Sequence, residues 1–324
     1  MVKVLIVGAT GFLGNMIAKE AVKKRHEVTA LVSSESQSKK KEIVQGLKDV
    51  GVRIVTGHLE SPIDLLADLL KTHHTVVSAV NGPALLLQLN LVEAAKKAAN
   101  PTLQFIPSEF SAFGAVGEES APLLYGAKAQ VRKALEANRI RYTYIVAYGL
   151  ASYWANGLGE LGQRNRVPPA PTGQNKVSYY GSGRTKFCIN LEQDVVAYTV
   201  RALGCGHVIN KQLHIRPKLN QLSQHDLIYI WEDKIFRQLC IGNRLARQPI
   251  SEAELDAQIA DAKDDIKRTH LQLQKSFTIS GTLTPMGIHD YEATTLYPED
   301  HHYTPIAKYM NDLIHDFKSQ LSEE

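Results

Sequence analysis

A glycine-rich turn close to the N terminus constrains this chain more than any other feature. The segment VGATGFLG places Gly8, Gly11 and Gly14 directly after an apolar run and before a helical pattern. In that context one glycine permits a tight turn, one lets the backbone approach a pyrophosphate, and one allows close helix packing. The free N–H groups at the start of the helix attract the anion. The turn therefore predicts a dinucleotide site, the alternative being a turn with coincidental glycines. The predicted site comprises Gly8, Thr10, Gly11, Phe12, Leu13 and Gly14.

Short apolar runs alternate with helical patterns through the first half of the chain. The sequence predicts strands at 3–8, 27–32, 52–57, 75–80, 103–108 and 142–147, and helices near 12–24, 38–49, 62–71, 83–99 and 122–138. Strands that are apolar along their whole length are typical of a parallel sheet covered by helices on both faces. The fold class is therefore α/β, with a Rossmann-type doubly wound parallel sheet.

The second half has a different character. A segment rich in Gly, Pro and Asn runs from Gly157 to Gly183, and helical patterns return at 192–204, 223–239, 251–275 and 304–320. We predict a smaller, partly helical C-terminal substrate lobe. The division is a nucleotide-binding domain over residues 1–150 and a mainly substrate-binding lobe over 151–324, with some segments returning to the sheet. The Gly-rich segment is expected to order when substrate binds.

Composition and charge exclude several classes of protein. The 324 residues carry 37 basic and 33 acidic side chains, for a net charge of +4, and the basic residues are dispersed, so no nucleic-acid partner is expected. The first apolar run is too short for a signal peptide or a membrane span. Cys188, Cys205 and Cys240 form no paired motif, which favours a reducing, cytoplasmic location. The adjacent histidine pairs at 73–74 and 301–302 cannot both face one metal from a regular element, so no metal is expected.

The end of the second predicted strand bears on which dinucleotide binds. An acidic residue there usually holds the ribose of NAD, whereas NADP sites prefer positive charge for the 2'-phosphate. Here the strand is followed by Ser33 and Ser34, with Lys39, Lys40 and Lys41 a few residues on. The pattern favours NADPH/NADP+, with at most one of the three lysines expected to contact the phosphate.

Several longer motifs carry a resemblance to a known family. They are the glycine turn, IPSEFS at 106–111, GAKAQVRKALEA at 126–137, INKQLHIRPKLNQLSQHDLIYIWEDKI at 209–235 and TTLYPEDHHYT at 294–304. Together they resemble the isoflavone-reductase-like branch of the NmrA-like, atypical short-chain dehydrogenase/reductase family. Its plant members include phenylcoumaran benzylic ether, pinoresinol-lariciresinol and isoflavone reductases. The resemblance implies NADPH, a monomeric or homodimeric reductase with no membrane partner, and a small aromatic substrate.

The resemblance also assigns roles to particular residues. The family's catalytic lysine falls on Lys128, four residues before Arg132, and the lysine that faces the 2'-phosphate falls on Lys40. The stretch near the nicotinamide and substrate falls on Pro107, Ser108, Glu109 and Phe110.

Two positions depart from the family pattern. Ser33 replaces the arginine that follows the second strand, which weakens the preference for NADP. Tyr148 replaces the asparagine after the sixth strand, which indicates a rebuilt substrate pocket. Tyr148, Tyr153 and Trp154 could stack on an aromatic substrate, or they could equally pack in the core.

Lys128 has two interpretations, and the choice decides the function. A lysine at the margin of an apolar helix face is often a side chain whose stem alone is buried. Tyr125-x-x-Lys128 is one residue short of the conventional Tyr-x-x-x-Lys pair, but members that resemble this branch use lysine alone. We therefore predict an NADPH-dependent reductase of an enone, quinone methide or benzylic ether, with Lys128 transferring a proton. The alternatives are an NADP(H)-binding redox sensor without turnover, and a quinone reductase or epimerase-like relative with a different acid.

Overall fold

A five-stranded parallel sheet organises the first half of the chain. The computed structural model describes residues 1–155, 176–239, 245–283, 286–287, 290–298 and 302–323. The strands are β1 (Lys3–Val7), β2 (Glu27–Val32), β3 (Arg53–Thr56), β4 (Thr75–Ser78) and β5 (Gln104–Ile106). Their order across the sheet is β3-β2-β1-β4-β5, and all neighbours pair in parallel. The helices between and after them are α1 (Phe12–Lys23), α2 (Ser34–Lys39), α3 (Lys41–Asp49), α4 (Ile63–Lys71), α5 (Ala84–Ala98), α6 (Phe113–Val116) and α7 (Pro122–Ala137).

Later segments of the chain lie beside this sheet. The remaining elements are β6 (Thr143–Ala147), β7 (Gly149–Leu150), α8 (Ala151–Trp154), β8 (Lys176–Tyr180), β9 (Phe187–Asn190), α9 (Glu192–Ala202), β10 (Lys211–Ile215), β11 (Gln221–Leu222), α10 (Gln224–Leu239), β12 (Ala246–Ile250), α11 (Glu252–Asp261), α12 (Asp265–Lys275), β13 (Tyr291–Glu292), α13 (Ala293–Leu296) and α14 (Ile306–Glu323). A parallel bridge between Phe105 and Tyr142 joins β5 to the start of β6. Strand β10 then pairs in parallel with β6, and β13 with β10.

Both faces of the central strand are buried, as the sequence predicts. Val4 and Ile6 of β1 pack into a cluster with Ile17 of α1 and Val195 of α9. Leu5 and Val7 face the opposite side, in a cluster formed with α4, α5 and α7. Because successive side chains of a strand point to opposite faces, helices must cover both sides of the sheet. The predicted doubly wound parallel fold is confirmed.

Some element boundaries differ from the sequence-based expectation, each for a local reason. The predicted helix at 38–49 is two helices, because Ser33 caps α2 and the backbone breaks at Lys40. The predicted helix at 251–275 is also two, because the chain leaves helical geometry at Ala262 and Asp264 caps α12. Most of the Gly157–Gly183 segment lies outside the described residues. Its end contains the strand β8, which pairs in parallel with β12.

A second apolar cluster lies in the C-terminal half of the chain. It contains the buried rings of Trp154, Phe187, Trp231 and Phe277, with Met310 of α14 packed among them. Within the described ranges, no helix is long and apolar enough to cross a membrane.

Candidate active site

The glycine turn has a geometry that only glycine can adopt at two positions. Gly8 has a φ of +87°, and a Cβ built there would lie 2.4 Å from the carbonyl oxygen of Ala79. A Cβ on Gly14 would lie 2.2 Å from the Gly8 carbonyl oxygen, so the helix could not pack this closely on the turn. At the N-cap of α1, Gly11 contributes no side-chain acceptor, and the first turn holds no acidic residue. The start of α1 therefore fits the pyrophosphate of a dinucleotide, because no side chain caps it and no acidic residue repels an anion.

The other residues of the turn divide between the surface and the core. The Phe12 side chain is 53% exposed at the first position of α1. Leu13 is partly buried and packs against the core cluster of β1. The carbonyl oxygen of Thr10 accepts a hydrogen bond of 3.1 Å from Lys40 Nζ. This contact brings one positive charge directly to the predicted dinucleotide site.

The segment after β2 distinguishes Lys40 from its neighbour. Ser33 Oγ accepts a hydrogen bond of 3.1 Å from the Ser36 N–H, so this hydroxyl caps α2. Lys39 forms an ion pair of 2.7 Å with Glu35 on the same helix. Of these two lysines, only Lys40 contacts the glycine turn, and its contact with the phosphate stays a prediction.

The loop after β5 is fixed to the segment that follows β4 and to α5. Ser108 Oγ donates a hydrogen bond of 2.6 Å to the Val80 carbonyl oxygen, and the Ser108 N–H donates to Gln88 Oε1 at 2.9 Å. Pro107 is buried beside it. Phe110 has a φ of +28°, in a region that side chains rarely adopt. Such backbone conformations persist where the surrounding structure holds them, and they cluster at functional sites.

Lys128 is buried rather than lying at the margin of its helix. Pro122 occupies the first turn of α7, where its missing N–H costs nothing, and Lys128 follows on the second turn. Its side chain is 6% exposed. Nζ donates one hydrogen bond to the carbonyl oxygen of Glu109 and another, of 2.9 Å, to Ser111 Oγ. The amine therefore lies against the loop that, by the family resemblance, is expected near the nicotinamide and substrate.

An ion pair one turn further along α7 holds that loop. Arg132 donates to both carboxylate oxygens of Glu109, at 2.9 and 2.7 Å. The guanidinium lies 4.5 Å from the ring centroid of Phe113 and 4.2 Å from that of Tyr144. It also donates to Gln212 Oε1 at 3.1 Å. Bidentate pairing and ring stacking are geometries that arginine provides and lysine does not.

The environment of Lys128 lowers the pKa of its amine. Burial is the main cause and moves the pKa to about 8, with attraction by Glu109 opposing the shift and repulsion by Arg132 adding to it. Burial also raises the pKa of Tyr125, whose ring stacks on Phe113 with centroids 5.2 Å apart. Tyr125 therefore packs as a neutral ring and does not restore the conventional tyrosine–lysine pair. An amine with a pKa near 8 can exchange a proton near neutral pH.

Comparison with known proteins identifies the family. Residues 2–310 match the NmrA-like family. This chain belongs to the NmrA-like family. It is 31% identical over 322 residues to isoflavone reductase homolog A622 of Nicotiana tabacum, covering 96% of this chain and 98% of the relative.

Solved structures of relatives agree with this membership. AtPrR2, solved with NADP+ and (+)-pinoresinol, is 29% identical, with a TM-score of 0.84 and coverage of 96% of this chain and 98% of the other. Leucoanthocyanidin reductase from Vitis vinifera, solved as a complex with NADPH, is 29% identical, with a TM-score of 0.81 and coverage of 96% and 99%. The predicted family, the isoflavone-reductase-like oxidoreductase class and the NADP(H) cofactor are confirmed.

Two of the three aromatic residues that we predicted at the substrate are buried in this NmrA-like protein. The Tyr148 hydroxyl lies 2.9 Å from His214 Nδ1, and its ring is 3% exposed. Trp154 is 2% exposed and packs against Phe187 and Phe277, with ring centroids 4.6 and 4.9 Å away. These contacts are those of core packing, the other interpretation of both residues.

Tyr153 differs from the other two because part of its side chain remains exposed. Its hydroxyl contacts the His270 ring, and Nε2 of that ring lies 3.1 Å away. Its predicted contact with substrate stays a prediction.

Sequence reasoning missed two participants in this site. Ser111 contacts the Lys128 amine, and its position directly after the Pro107–Phe110 stretch was the available signal. His270 lies 117 residues from Tyr153, and no local pattern links them. In the described part of the chain, no group of three or more His, Cys, Asp or Glu side chains could hold a metal ion.

Proposed function

We propose that this NmrA-like protein catalyses the NADPH-dependent reduction of a phenolic small molecule, with Lys128 as the proton-transfer group. The substrate is an enone, a quinone methide or a benzylic ether. One observation carries the proposal: the buried Lys128 amine contacts a carbonyl and a hydroxyl of the loop at the carboxyl end of β5. In open parallel sheets, ligands bind outside the carboxyl ends of the strands.

Each part of the site has a separate task in this reaction. The N–H groups of the glycine turn bind the pyrophosphate, and Lys40 attracts the 2'-phosphate. Ser108 fixes the loop beside the nicotinamide through its bonds to Val80 and Gln88. When bound, NADPH supplies the hydride. Lys128 Nζ–H supplies the proton that balances the charge on the reduced substrate.

The Glu109–Arg132 ion pair allows the Lys128 amine to lose its proton. A free carboxylate beside an amine would hold it as a permanently charged ion pair. Here both Glu109 oxygens are engaged by the Arg132 guanidinium, and Lys128 contacts the Glu109 backbone carbonyl instead. The amine is thus free to lose and regain its proton during turnover.

The two halves of the chain divide the binding tasks in the proposed enzyme. Residues 1–150 hold the cofactor, and residues 151–324 supply most of the substrate contacts, among them Tyr153. The enzyme acts as a monomer or homodimer on a small aromatic molecule. A cytoplasmic location fits Cys188 and Cys205, both of which are free thiols.

The test is NADPH oxidation by the purified protein with four candidate substrates: pinoresinol, a phenylcoumaran, an isoflavone and leucoanthocyanidin. NADH is assayed in parallel. We expect turnover of at least one substrate, and a loss of about a hundredfold to ten-thousandfold in Lys128→Ala, the usual contribution of a positioned general acid. Lys128→Arg should fail almost as badly, because guanidinium does not release its proton.

Lys133, an exposed lysine on the same helix, supplies the matched control. Lys133→Ala should keep wild-type turnover. A turnover rate in Lys128→Arg close to that of wild type would refute proton transfer by Lys128. NADPH binding without oxidation for every substrate would favour the redox sensor over the enzyme.

A further inference from the structure

Lys128 is buried, so its proton needs a route to a substrate bound outside the carboxyl end of β5. We propose that the Ser111 hydroxyl is that route and acts as a second catalytic group, which accepts a proton from Lys128 and passes its own to the substrate. The inference rests on the proposed reductase function. It adds a catalytic residue to a site in which lysine would otherwise act alone.

The first observation is the difference in exposure between the two groups. The Lys128 side chain is 6% exposed, and burial dominates its electrostatic environment. Ser111 is only half-buried, on the loop that follows β5. Lys128 Nζ and Ser111 Oγ are 2.9 Å apart, which is within the range of a direct hydrogen bond. The hydrogen bond therefore connects a buried amine to a residue that is partly accessible to solvent.

The second observation is the direction of the hydrogen bonds at Ser111. Its oxygen accepts from Lys128 Nζ and, at 3.5 Å, from the Phe113 N–H. Within the described residues its own hydroxyl proton has no acceptor. Two nearby serines are different, since Ser108 donates to the Val80 carbonyl and Ser120 to the Val116 carbonyl, each at 2.6 Å. Of these three serines, Ser111 alone keeps a hydroxyl proton without an acceptor among the described residues, and that proton is available to a substrate.

The third observation is that the loop is held in the conformation that aims Ser111 at the lysine. Phe110, between Glu109 and Ser111, has a positive φ of 28°, a conformation that residues with side chains rarely adopt. The bidentate pair of Glu109 with Arg132 and the bond from Lys128 to the Glu109 carbonyl fix the residue before Phe110. Fixed geometry of this kind is what proton transfer in a relay requires.

The proposed step balances in atoms and charge. Bound NADPH would supply hydride to the electrophilic carbon and become NADP+, while the π bond of an enone or quinone methide, or the C–O bond of a benzylic ether, breaks and its electron pair moves to oxygen. The negative charge that develops on the substrate accepts the Ser111 proton, and Ser111 Oγ takes a proton from the Lys128 ammonium as the O–H bond breaks. Lys128 is left as a neutral amine and is reprotonated from solvent before the next turnover.

The test compares Ser111→Ala, Ser111→Thr and the control Ser120→Ala. Turnover is measured at pH 6.5, at which Lys128 is protonated, with NADPH and the four phenolic substrates named above. We expect Ser111→Ala to lose about tenfold to a hundredfold in kcat, within the range of a proton-transfer group. NADPH affinity, measured by fluorescence, should be unchanged. Ser111→Thr, which keeps the hydroxyl, and Ser120→Ala should retain most of the wild-type activity.

The number of protons in flight gives an independent measurement. The turnover rate, plotted against the deuterium content of the solvent, should curve as expected for two exchangeable protons in wild type and for one in Ser111→Ala.

A second readout does not depend on turnover. The pH dependence of Lys128 labelling by an amine reagent, followed by mass spectrometry, reports the pKa of the amine. Loss of the Ser111 acceptor removes a bond to the charged form and should lower that pKa in Ser111→Ala but not in Ser120→Ala. An unchanged labelling profile in Ser111→Ala would refute the hydrogen bond between Lys128 and Ser111, and with it the proposed relay. Wild-type kcat in Ser111→Ala, alongside an inactive Lys128→Ala, would overturn the relay and leave the proposed function standing. Full activity in Lys128→Ala would instead refute the proposed function.

Discussion

The buried Lys128 should make the free energy of unfolding of this protein depend on pH. One substitution should remove that dependence. The substitution is Lys128→Met, which keeps an unbranched side chain of similar length and removes the charge. The pKa of Lys128 in the folded protein is about 8, against 10.5 for an unperturbed lysine. Between these two values the unfolded chain binds more protons than the folded protein, so wild-type stability rises with pH across this interval.

The size of the effect follows from the pKa difference. With a folded-state pKa of about 8 and an unfolded-state pKa of 10.5, the charged amine destabilises the fold by about 3 kcal/mol at pH 7. At pH 10 the remaining penalty is about 1 kcal/mol. Between pH 7 and pH 10 the free energy of unfolding of wild type should therefore rise by about 2 kcal/mol relative to that of Lys128→Met.

Urea denaturation followed by circular dichroism at several pH values measures this difference. Lys133→Met supplies the control, because Lys133 is exposed and its substitution should leave the difference from wild type constant with pH. A constant difference between wild type and Lys128→Met from pH 7 to pH 10 would refute the burial of a protonated amine at this position.

Further predictions concern the groups around the lysine and the cofactor. Gly14→Ala places a Cβ 2.2 Å from a backbone oxygen and should abolish NADPH binding in fluorescence titrations, whereas Gly46→Ala, with open space around it, should bind normally. Wild type should bind NADPH about tenfold to a hundredfold more tightly than NADH, a gap of roughly 1.4 to 2.8 kcal/mol. Lys40→Ala should narrow that gap while Lys39→Ala leaves it unchanged, and equal affinities in wild type would remove the role of Lys40. Arg132→Leu leaves the Glu109 carboxylate without its guanidinium partner and able to pair with Lys128, so the pKa of the Lys128 amine measured by labelling should rise. An unchanged pKa would contradict the shielding of Lys128 by Arg132.

Local signals predicted much of the fold. The requirement for glycine at Gly8 and Gly14 follows from turn geometry and from the close approach of helix and strand, both of which lie within one stretch of sequence. The parallel sheet follows from strands that are apolar on both faces. Two helix boundaries were missed because the helical pattern continues across them. The backbone leaves helical geometry at Lys40 without a capping side chain, and the single residue Asp264 caps a new helix.

The site depends on contacts between segments that are distant in the sequence. Fewer of its features could therefore be predicted from the sequence. Periodicity places Lys128 at the edge of a helix face. Its burial arises from the loop after β5, whose fold depends on the positive φ of Phe110 and on the Glu109–Arg132 pair. Whether an aromatic residue lines a pocket or fills a core likewise depends on packing partners far along the chain, as with Trp154 and Phe277.

The pH dependence of kcat/KM for the phenolic substrate tests the central claim most directly, because it reports the protonation state of the group that supplies the proton. If Lys128 is that group, its protonated form is required and its pKa is about 8. The value of kcat/KM should then be level from pH 6 to about 7.5 and fall about tenfold per pH unit above the pKa. A profile that stays level to pH 10 would contradict proton donation by Lys128.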